Sequence, residues 1–511
     1  QLDKWLKLYP WLFARQVVAL SKSQRRASVN SLLDAIRAAA GEGRKPPAEV
    51  IEATIGARVQ AKVGVAGSRE TETHSAVETA HKGMLARLGG DQPSMIIATF
   101  TSTHDASAVA KKIHELAPTV PMLGCTTCRG VVLNGTWLTH QKEYALGLWG
   151  ICDDAGAYSV IHIQERPAQG QLRDAVLAQV SQAMRVREGT ATTPSFAILL
   201  GSPGDEEIIL DGMAAALGLG VPILGGSSAD NAVLGQWKQV AKVGTSNFQV
   251  ADPTVSGGGI TIAVGWASCE VATTLTSGFR TTENKGVVTA IDASDHGRTI
   301  LKIDGKPVKE VYEKSSKGAV TRGVQWKDGV ANVLAASSFC PLGEPCGPGE
   351  YMRVMHPAFL DEKSGALTTF ADAREGMSIC LLNASAETLA KKISTSARAL
   401  LGDGDGKGFH SMEGTASFGV TDVVGSFNIF CGGLVMAIDD QMPLAAEQLA
   451  DVVGQNNTMG ICCFGEQGMD PSGRAIHGNL MFGCLLFSNK MKDSKLSVSP
   501  TSSQELVGLA A

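Results

Sequence analysis

Val120-Pro121-Met122-Leu123-Gly124-Cys125-Thr126-Thr127-Cys128 returns 101 positions later as Val221-Pro222-Ile223-Leu224-Gly225-Gly226-Ser227-Ser228-Ala229. Ile97 and Ile198 match at the same offset, as do Val132-Leu133 and Val233-Leu234. Each copy reads as strand, turn, helix, strand and glycine loop. In the first copy Val109, Ala110, Ile113, Leu116 and Ala117 fall on one helical stripe. In the second, Ser202-Pro203 opens a helix whose first turn carries Asp205, Glu206 and Glu207, acids that complement the helix dipole. Its buried face would hold Ile209, Met213, Ala216 and Leu217.

Outward from the repeat, residues 257–325 break into short apolar runs between Gly, Asp and Asn, the pattern of β-rich structure. Residues 336–350 hold three prolines and three glycines and read as a linker. Strand and helix then alternate again: a strand over 377–382, a helix from Ser385, a strand over 427–431, a helix opened by Pro443, and strands over 460–464 and 480–487. The expected fold is α/β. Duplicated strand–helix–strand units form an N-terminal domain over 93–335, with copies at 93–150 and 194–250. A second α/β domain with mixed sheets follows over 351–488, and 489–511 form a polar tail.

The chain has 511 residues, too many for one ordinary core. Its 44% apolar and 19% charged residues suit a globular protein, and a net charge of -5 gives no general attraction for nucleic acid. No apolar run approaches the ~18 residues of a membrane span. The eleven cysteines lie mostly in apolar runs, as buried thiols of a reducing compartment do. An intracellular location is therefore expected, in the cytoplasm or an organelle matrix. Residues 1–92 read as a basic helical arm. Within it, residues 1–47 carry nine Lys or Arg against three Asp or Glu, together with Trp5, Tyr9, Trp11 and Phe13. Such an arm packs on its own chain, or docks a protein partner or an anionic membrane surface.

The ordered motifs resemble the FIST family, in which an N-terminal and a C-terminal domain occur together. The N-terminal resemblance rests on 121–127, Pro203-Gly204-Asp205-Glu206-Glu207, 222–230 and Leu301-Lys302-Ile303-Asp304-Gly305-Lys306-Pro307. The C-terminal one rests on Gly465-Glu466 and His477-Gly478-Asn479-Leu480. Gln467 stands where the family pattern has an aliphatic residue, and Cys128-Arg129 departs from it in the first loop. The resemblance implies a small-molecule sensor with amino acids as ligands. Some bacterial members bind haem, for which His356 and His477 would be the axial candidates. No resident cofactor is expected.

Gly225, Gly226, Ser227 and Ser228 follow a strand and would offer N–H groups to a carboxylate or phosphate, with Asp230 accepting an ammonium. Gly124, Cys125, Thr126 and Thr127 form the matching loop. Across a domain boundary, Glu466, His477 and Asn479 would supply charge and amide, so the expected ligand is a small polar zwitterion such as an amino acid. A plain strand-to-loop turn explains the same glycines. No Gly-x-Ser-x-Gly elbow is present, and the Cys125-x-x-Cys128 pair lacks both a following helical stripe and a second metal pair. Cys340-Pro341 is too short a motif to weigh, and the Gly402–Gly406 run lacks the acid that closes a calcium loop. The expectation is a non-catalytic sensing module that signals through a partner. The alternative is an accessory subunit of a larger assembly whose ligand site is vestigial.

Overall fold

The computed structural model describes residues 61–491 except 140–142, 186–192, 219, 247–249, 296, 348–350 and 403–415. The basic segment 1–47 and residues 492–511 of the expected polar tail therefore lie outside the described residues, whereas 489–491 end the last strand. Residues 62–92 do not belong to a helical arm: β1 (Lys62–Ser68) and α1 (Thr73–Arg87) open the first folded unit. That unit continues with β2 (Met95–Thr101), α2 (Ala106–Leu116), β3 (Met122–Thr127), the hairpin β4 (Val131–Leu133) and β5 (Thr136–Leu138), and β6 (Leu146–Cys152).

The second unit repeats this order. It runs β7 (Ala157–Ile163), α3 (Gln169–Arg185), β8 (Phe196–Gly201), α4 (Glu206–Leu217), β9 (Ile223–Ser227), the hairpin β10 (Gln239–Lys242) and β11 (Thr254–Ser256), and β12 (Ile260–Trp266). The offset of 101 thus reflects a true structural duplication, since β2 and β3 superimpose in sequence on β8 and β9.

A third unit begins with β13 (Cys269–Thr276), and a β-rich insert then separates this strand from the rest of the unit. The insert holds β14 (Arg280–Asp292), β15 (Thr299–Ile303), β16 (Leu342–Pro345), β17 (Met352–Met355), β18 (Pro357–Asp361), β19 (Leu367–Thr369) and β20 (Ser378–Asn383), which with three shorter strands make a ten-stranded sheet, and α5 (Val308–Ser315), which packs on it. The stretch 336–350 is thus no free linker, because β16 within it pairs with both β17 and β20. After the insert the unit resumes with α6 (Ala386–Leu400), β21 (Val423–Cys431), α7 (Met442–Val453), β22 (Thr458–Cys463), the hairpin β23 (Glu466–Met469) and β24 (Ala475–Gly478), and β25 (Phe482–Met491). Ser385 caps α6 through the Thr388 N–H, and Pro443 sits in the first turn of α7, as their residue types dictate.

The three sheets share one topology. Their orders are β1-β6-β2-β3, β7-β12-β8-β9 and β13-β25-β21-β22, each with one parallel pair joined through a helix. Each sheet is then extended by a hairpin from a neighbouring unit. β10-β11 extend the first sheet, β23-β24 the second and β4-β5 the third, so the exchange closes into a ring. The ring also closes at atomic level. Cys128 N–H donates to Cys462 O at 3.0 Å, Phe464 N–H to Ser227 O at 2.8 Å and Ala229 N–H to Thr126 O at 3.0 Å. These six residues fall on two equivalent positions, one donor and one acceptor in each unit, and the same register makes Gly124, Gly225 and Gly460 equivalent. A side chain at any of them would collide, with Ala98 O at 2.3 Å, Leu199 O at 2.5 Å or the Phe430 ring at 2.3 Å.

Inner faces of all three sheets meet in one apolar core. It includes Ile97 and Trp149, Phe196 and Leu224, and Phe427 and Phe487. Phe487 lies 5.2 Å from Trp149 and 5.3 Å from Phe196 between ring centroids. Helices cover the outer faces in separate clusters, one per unit. Strands covered on both sides have no polar face, which explains their uninterrupted apolar runs.

Candidate functional site

Equivalent positions at the three unit junctions carry different chemistry. Where β10 meets β3, Gln239 lies opposite Cys125 and Val240 opposite Gly124. Where β4 meets β22, Val131 lies opposite Ile461 and Val132 opposite Gly460. Where β23 meets β9, Glu466 lies opposite Gly226 and Gln467 opposite Gly225. Two junctions thus place valine where the third has Gln467, and only the third places an acid at the neighbouring position.

Around that third junction a buried polar network assembles. Ser227 Oγ donates to Glu206 Oε1 at 2.7 Å. Gln467 Nε2 approaches Ser227 Oγ at 3.1 Å, Gly465 O at 3.3 Å and His477 Nδ1 at 3.1 Å, and His477 Nε2 lies 3.2 Å from Phe370 O. Because Phe370 O can only accept, His477 Nε2 is the donor in that contact. Arg298 Nη2 donates to Glu206 Oε2 at 2.8 Å and its Nε to Asp372 Oδ1 at 2.9 Å. Arg353 reaches Glu344 at 2.7 Å, Asp372 O at 2.7 Å and Glu207 at 3.3 Å, and Arg374 also pairs with Glu344.

Two parts of the fold meet here. Glu206 and Glu207 form the first turn of α4, in the second unit, whereas Arg298, Arg353, Asp372 and Glu344 belong to the insert. Burial works against the Glu206 carboxylate, but His477, Arg298 and Ser227 outweigh it and hold its pKa down at about 2. Asp372 moves the other way, to about 6, because burial and the neighbouring Glu207 outweigh its Arg298 partner. One ion-pair network therefore contains a carboxylate that stays ionised and another that titrates in mild acid.

The remaining expected residues are placed as follows. Cys125, Thr126 and Thr127 lie in β3, and Gly225, Gly226 and Ser227 in β9, all buried. Their amides are committed to strand pairing and to the ring, with Ser227 N–H on Gly465 O and Ser228 N–H on Gly201 O, so no open amide cradle forms. Asp230 does not face a ligand ammonium: its carboxylate accepts from the Ala232, Leu234 and Gln236 amides and shapes the loop after β9. Gly124 is a packing position. Asn479 accepts from His356 N–H at 3.1 Å and ties β24 to the insert. Glu466 is buried beside Cys431 and Cys463, accepts from Met481 N–H at 2.9 Å, and is pushed up to about 8 by burial. Of the expected set, Ser227 and His477 are brought together, with Glu466 adjoining.

Glu206, Arg298, Asp372 and Gln467 were not singled out as ligand residues. The acids of the first helical turn and the polar departure at Gln467 were visible signals. Arg298 and Asp372 gave none, since only the tertiary fold brings them to α4. The haem candidates do not fit. His356 is buried, holds Leu334 O through Nε2 at 2.9 Å and is pushed down to about 4 by burial, while both His477 nitrogens face protein atoms. Cys125 is no thiolate, since burial raises it to about 12. Among the described residues no cluster of three His, Cys, Asp or Glu could hold a metal ion, and no helix is long and apolar enough to cross a membrane.

The fold is thus three α/β units of one topology, and of their three junctions one carries the buried Glu206–Arg298–Asp372 ion pairs. The chain belongs to the FIST family: the FIST N domain matches residues 94–306 and the FIST C domain residues 311–469. FIST domains are associated with small-ligand sensing and signal transduction. The boundary between the two matches falls inside the insert, so neither match coincides with a structural unit. No curated protein matches the sequence. Two solved structures of cyanuric acid hydrolases, one from A. caulinodans, are 11% and 12% identical with TM-scores of 0.31 and 0.32, each covering 84% of this chain and 99% of the other. PurLQS from Thermotoga maritima is 9% identical with a TM-score of 0.19, covering 84% of this chain and 74% of that one. Likeness at this level says nothing of activity or substrate here.

Proposed function

We propose that this FIST protein is a non-catalytic module that senses a small polar ligand at the Ser227 junction and passes the signal to a protein partner. One observation carries this reading: of three equivalent junctions, one alone joins Ser227, Gln467 and His477 to the Glu206–Arg298–Asp372 network, and the other two place valine at the Gln467 position. Buried ion pairs are costly to assemble, and their confinement to one of the three junctions supports a role beyond packing.

The network's chemistry fits a zwitterion of amino-acid type. A ligand carboxylate would take over the Arg298 guanidinium, and a ligand ammonium would take over Glu206 or Asp372. Internal ion pairs then stand in for the ligand's own charges when the site is empty. Because Arg298 and Asp372 belong to the insert and Glu206 to the second unit, exchange of partners would alter how the insert is held. That supplies a local charge event with a mechanical read-out. The non-catalytic reading is supported by the raised Cys125 thiol and by His477, which pairs with Gln467 and Phe370 O and not with a nucleophile.

A thermal-shift screen tests it. Amino acids should stabilise the chain by about 2–3 kcal/mol at a hundredfold excess over Kd, and their N-acetyl and decarboxylated analogues should not. Equal shifts from the amino acids and from both kinds of analogue would remove the zwitterion assignment.

A further inference from the structure

The outer face of α7 (Met442–Val453) joins exposed apolar side chains to acids. Leu444 is 53% exposed there, and Met436, on the short helix Gly432–Ala437 that leads towards α7, is 59% exposed. Leu444, Glu447 and Asp451, at spacings of three and four, line one exposed stripe of the helix. Asp440 stands exposed just before it, and Pro443 beside it. Residues 411–473 contain no Lys or Arg. Asp439 is paired with Arg129, but Asp440, Glu447 and Asp451 make no ion pair among the described residues.

A face of this kind fits a basic segment that carries apolar side chains, and the chain has one. Residues 1–47 combine nine Lys or Arg and three acids with Trp5, Leu6, Trp11, Leu12 and Phe13. The connection between the two is long enough. At the start of β1, Lys62 lies against Gly89, where a side chain would meet its Nζ at 3.9 Å. Two residues earlier, Arg87 at the end of α1 donates to Asn456 O at 2.8 Å, three residues past the end of α7. The start of β1 and the C-terminal end of α7 are therefore neighbours. A helix of the twelve residues of α7 is only ~18 Å long, and the thirteen residues 48–60 can span up to ~45 Å.

We propose that residues 1–47 dock along the outer face of α7 of their own chain, with apolar side chains of Trp5–Phe13 on Leu444 and Met436 and the flanking cations on Asp440, Glu447 and Asp451. Covering the apolar side chains supplies the affinity, and the opposed charges supply the choice of segment. A tethered segment also meets this face at a high effective concentration, so a modest contact suffices to hold it. The assignment does not rest on the Ser227 junction.

Isotopically heavy and light copies of the full chain are mixed in equal amounts and treated with a carbodiimide, which joins lysine amines to carboxylates they touch. The joined peptides are identified by mass. Lys4, Lys7 or Lys22 should be joined to Asp440, Glu447 or Asp451 within one copy. Leu444→Arg, a change at an exposed side chain, should cut the yield of these links about fivefold. The ion pairs Lys62–Asp91 and Lys112–Glu78, remote from the face, should be joined as before. Arm lysines joined to other acids or to none, links running only between heavy and light copies, or an unchanged yield in Leu444→Arg would each overturn the assignment. If Leu444→Arg loses the two control links, Trp11→Asp decides: it should cut the arm links alike, and an unchanged yield would overturn the proposal.

Discussion

The junction at Thr126 and the junction at Ser227 are built from the same backbone and do opposite things. At the first, Thr126 Oγ1 accepts the Lys238 N–H and the facing strand offers Val240. Asp105, which corresponds to Glu206 at the offset of 101, points away to cap α2 through the Ala108 N–H. At the second, Ser227 donates to Glu206, Gln467 replaces the valine, and the insert adds Arg298 and Asp372. One junction is a sealed strand end and the other a charged one. Ring closure and strand pairing maintain the scaffold equally at both, so the scaffold does not require the charges. The symmetric frame serves stability, and a departure from its pattern marks the proposed site.

The comparison can be broken most forcefully at Arg298. Arg298→Met leaves Glu206 buried without its guanidinium and should cost about 3 kcal/mol in urea denaturation. Arg129→Met, at an exposed pair with Asp439, should cost well under 1 kcal/mol. Similar losses from both would mean that the Ser227 network is no more than surface charge.

Second in size is a pH effect. Glu466 has its folded pKa raised to about 8 from an unfolded value near 4.5. Between those values the folded state holds a proton the unfolded state has released. Its contribution is therefore fully present below the unfolded value and lost as pH rises through the folded one. Glu466→Gln cannot ionise and should gain steadily on the parent chain as pH rises from 5 to 8, measured as the difference in unfolding free energy. Parallel pH profiles would show that Glu466 is ionised throughout. Gln239, the equivalent residue at the sealed junction, carries no such proton.

Smallest in stability is Gln467→Val, which converts the charged junction to the pattern of the other two. It removes the amide's contacts with Ser227, Gly465 and His477 and should cost about 1 kcal/mol. A loss several times larger would mean that Gln467 holds the fold.

How much of this was legible in the sequence follows from the same symmetry. Val-Pro-x-Leu-Gly stands in both early copies because a strand end, a turn and a close backbone approach recur there, and the offset of 101 exposed the duplication. The third copy shares only the glycine, as Met459-Gly460 against Leu123-Gly124, and its first strand is separated from its second by the insert. An offset search loses such a copy. The linker expected at 336–350 was read from its prolines and glycines, yet Pro345 ends a paired strand, β16, in the ten-stranded sheet. Residues read as binding loops were strand ends in a ring, because glycine serves close packing as readily as anion binding. Gln467 was visible as a departure from the family pattern. Its meaning came only from seeing Val240 and Val132 in the same place.

The most direct test of the central claim is calorimetric titration of the best-stabilising amino acid into three proteins: the parent chain, Gln467→Val and Thr126→Val. Thr126 is the Ser227 equivalent at the sealed junction. Gln467→Val should lose at least tenfold in affinity, about 1.4 kcal/mol, while Thr126→Val should bind as the parent does. Full binding by Gln467→Val, or equal losses in both variants, would contradict it.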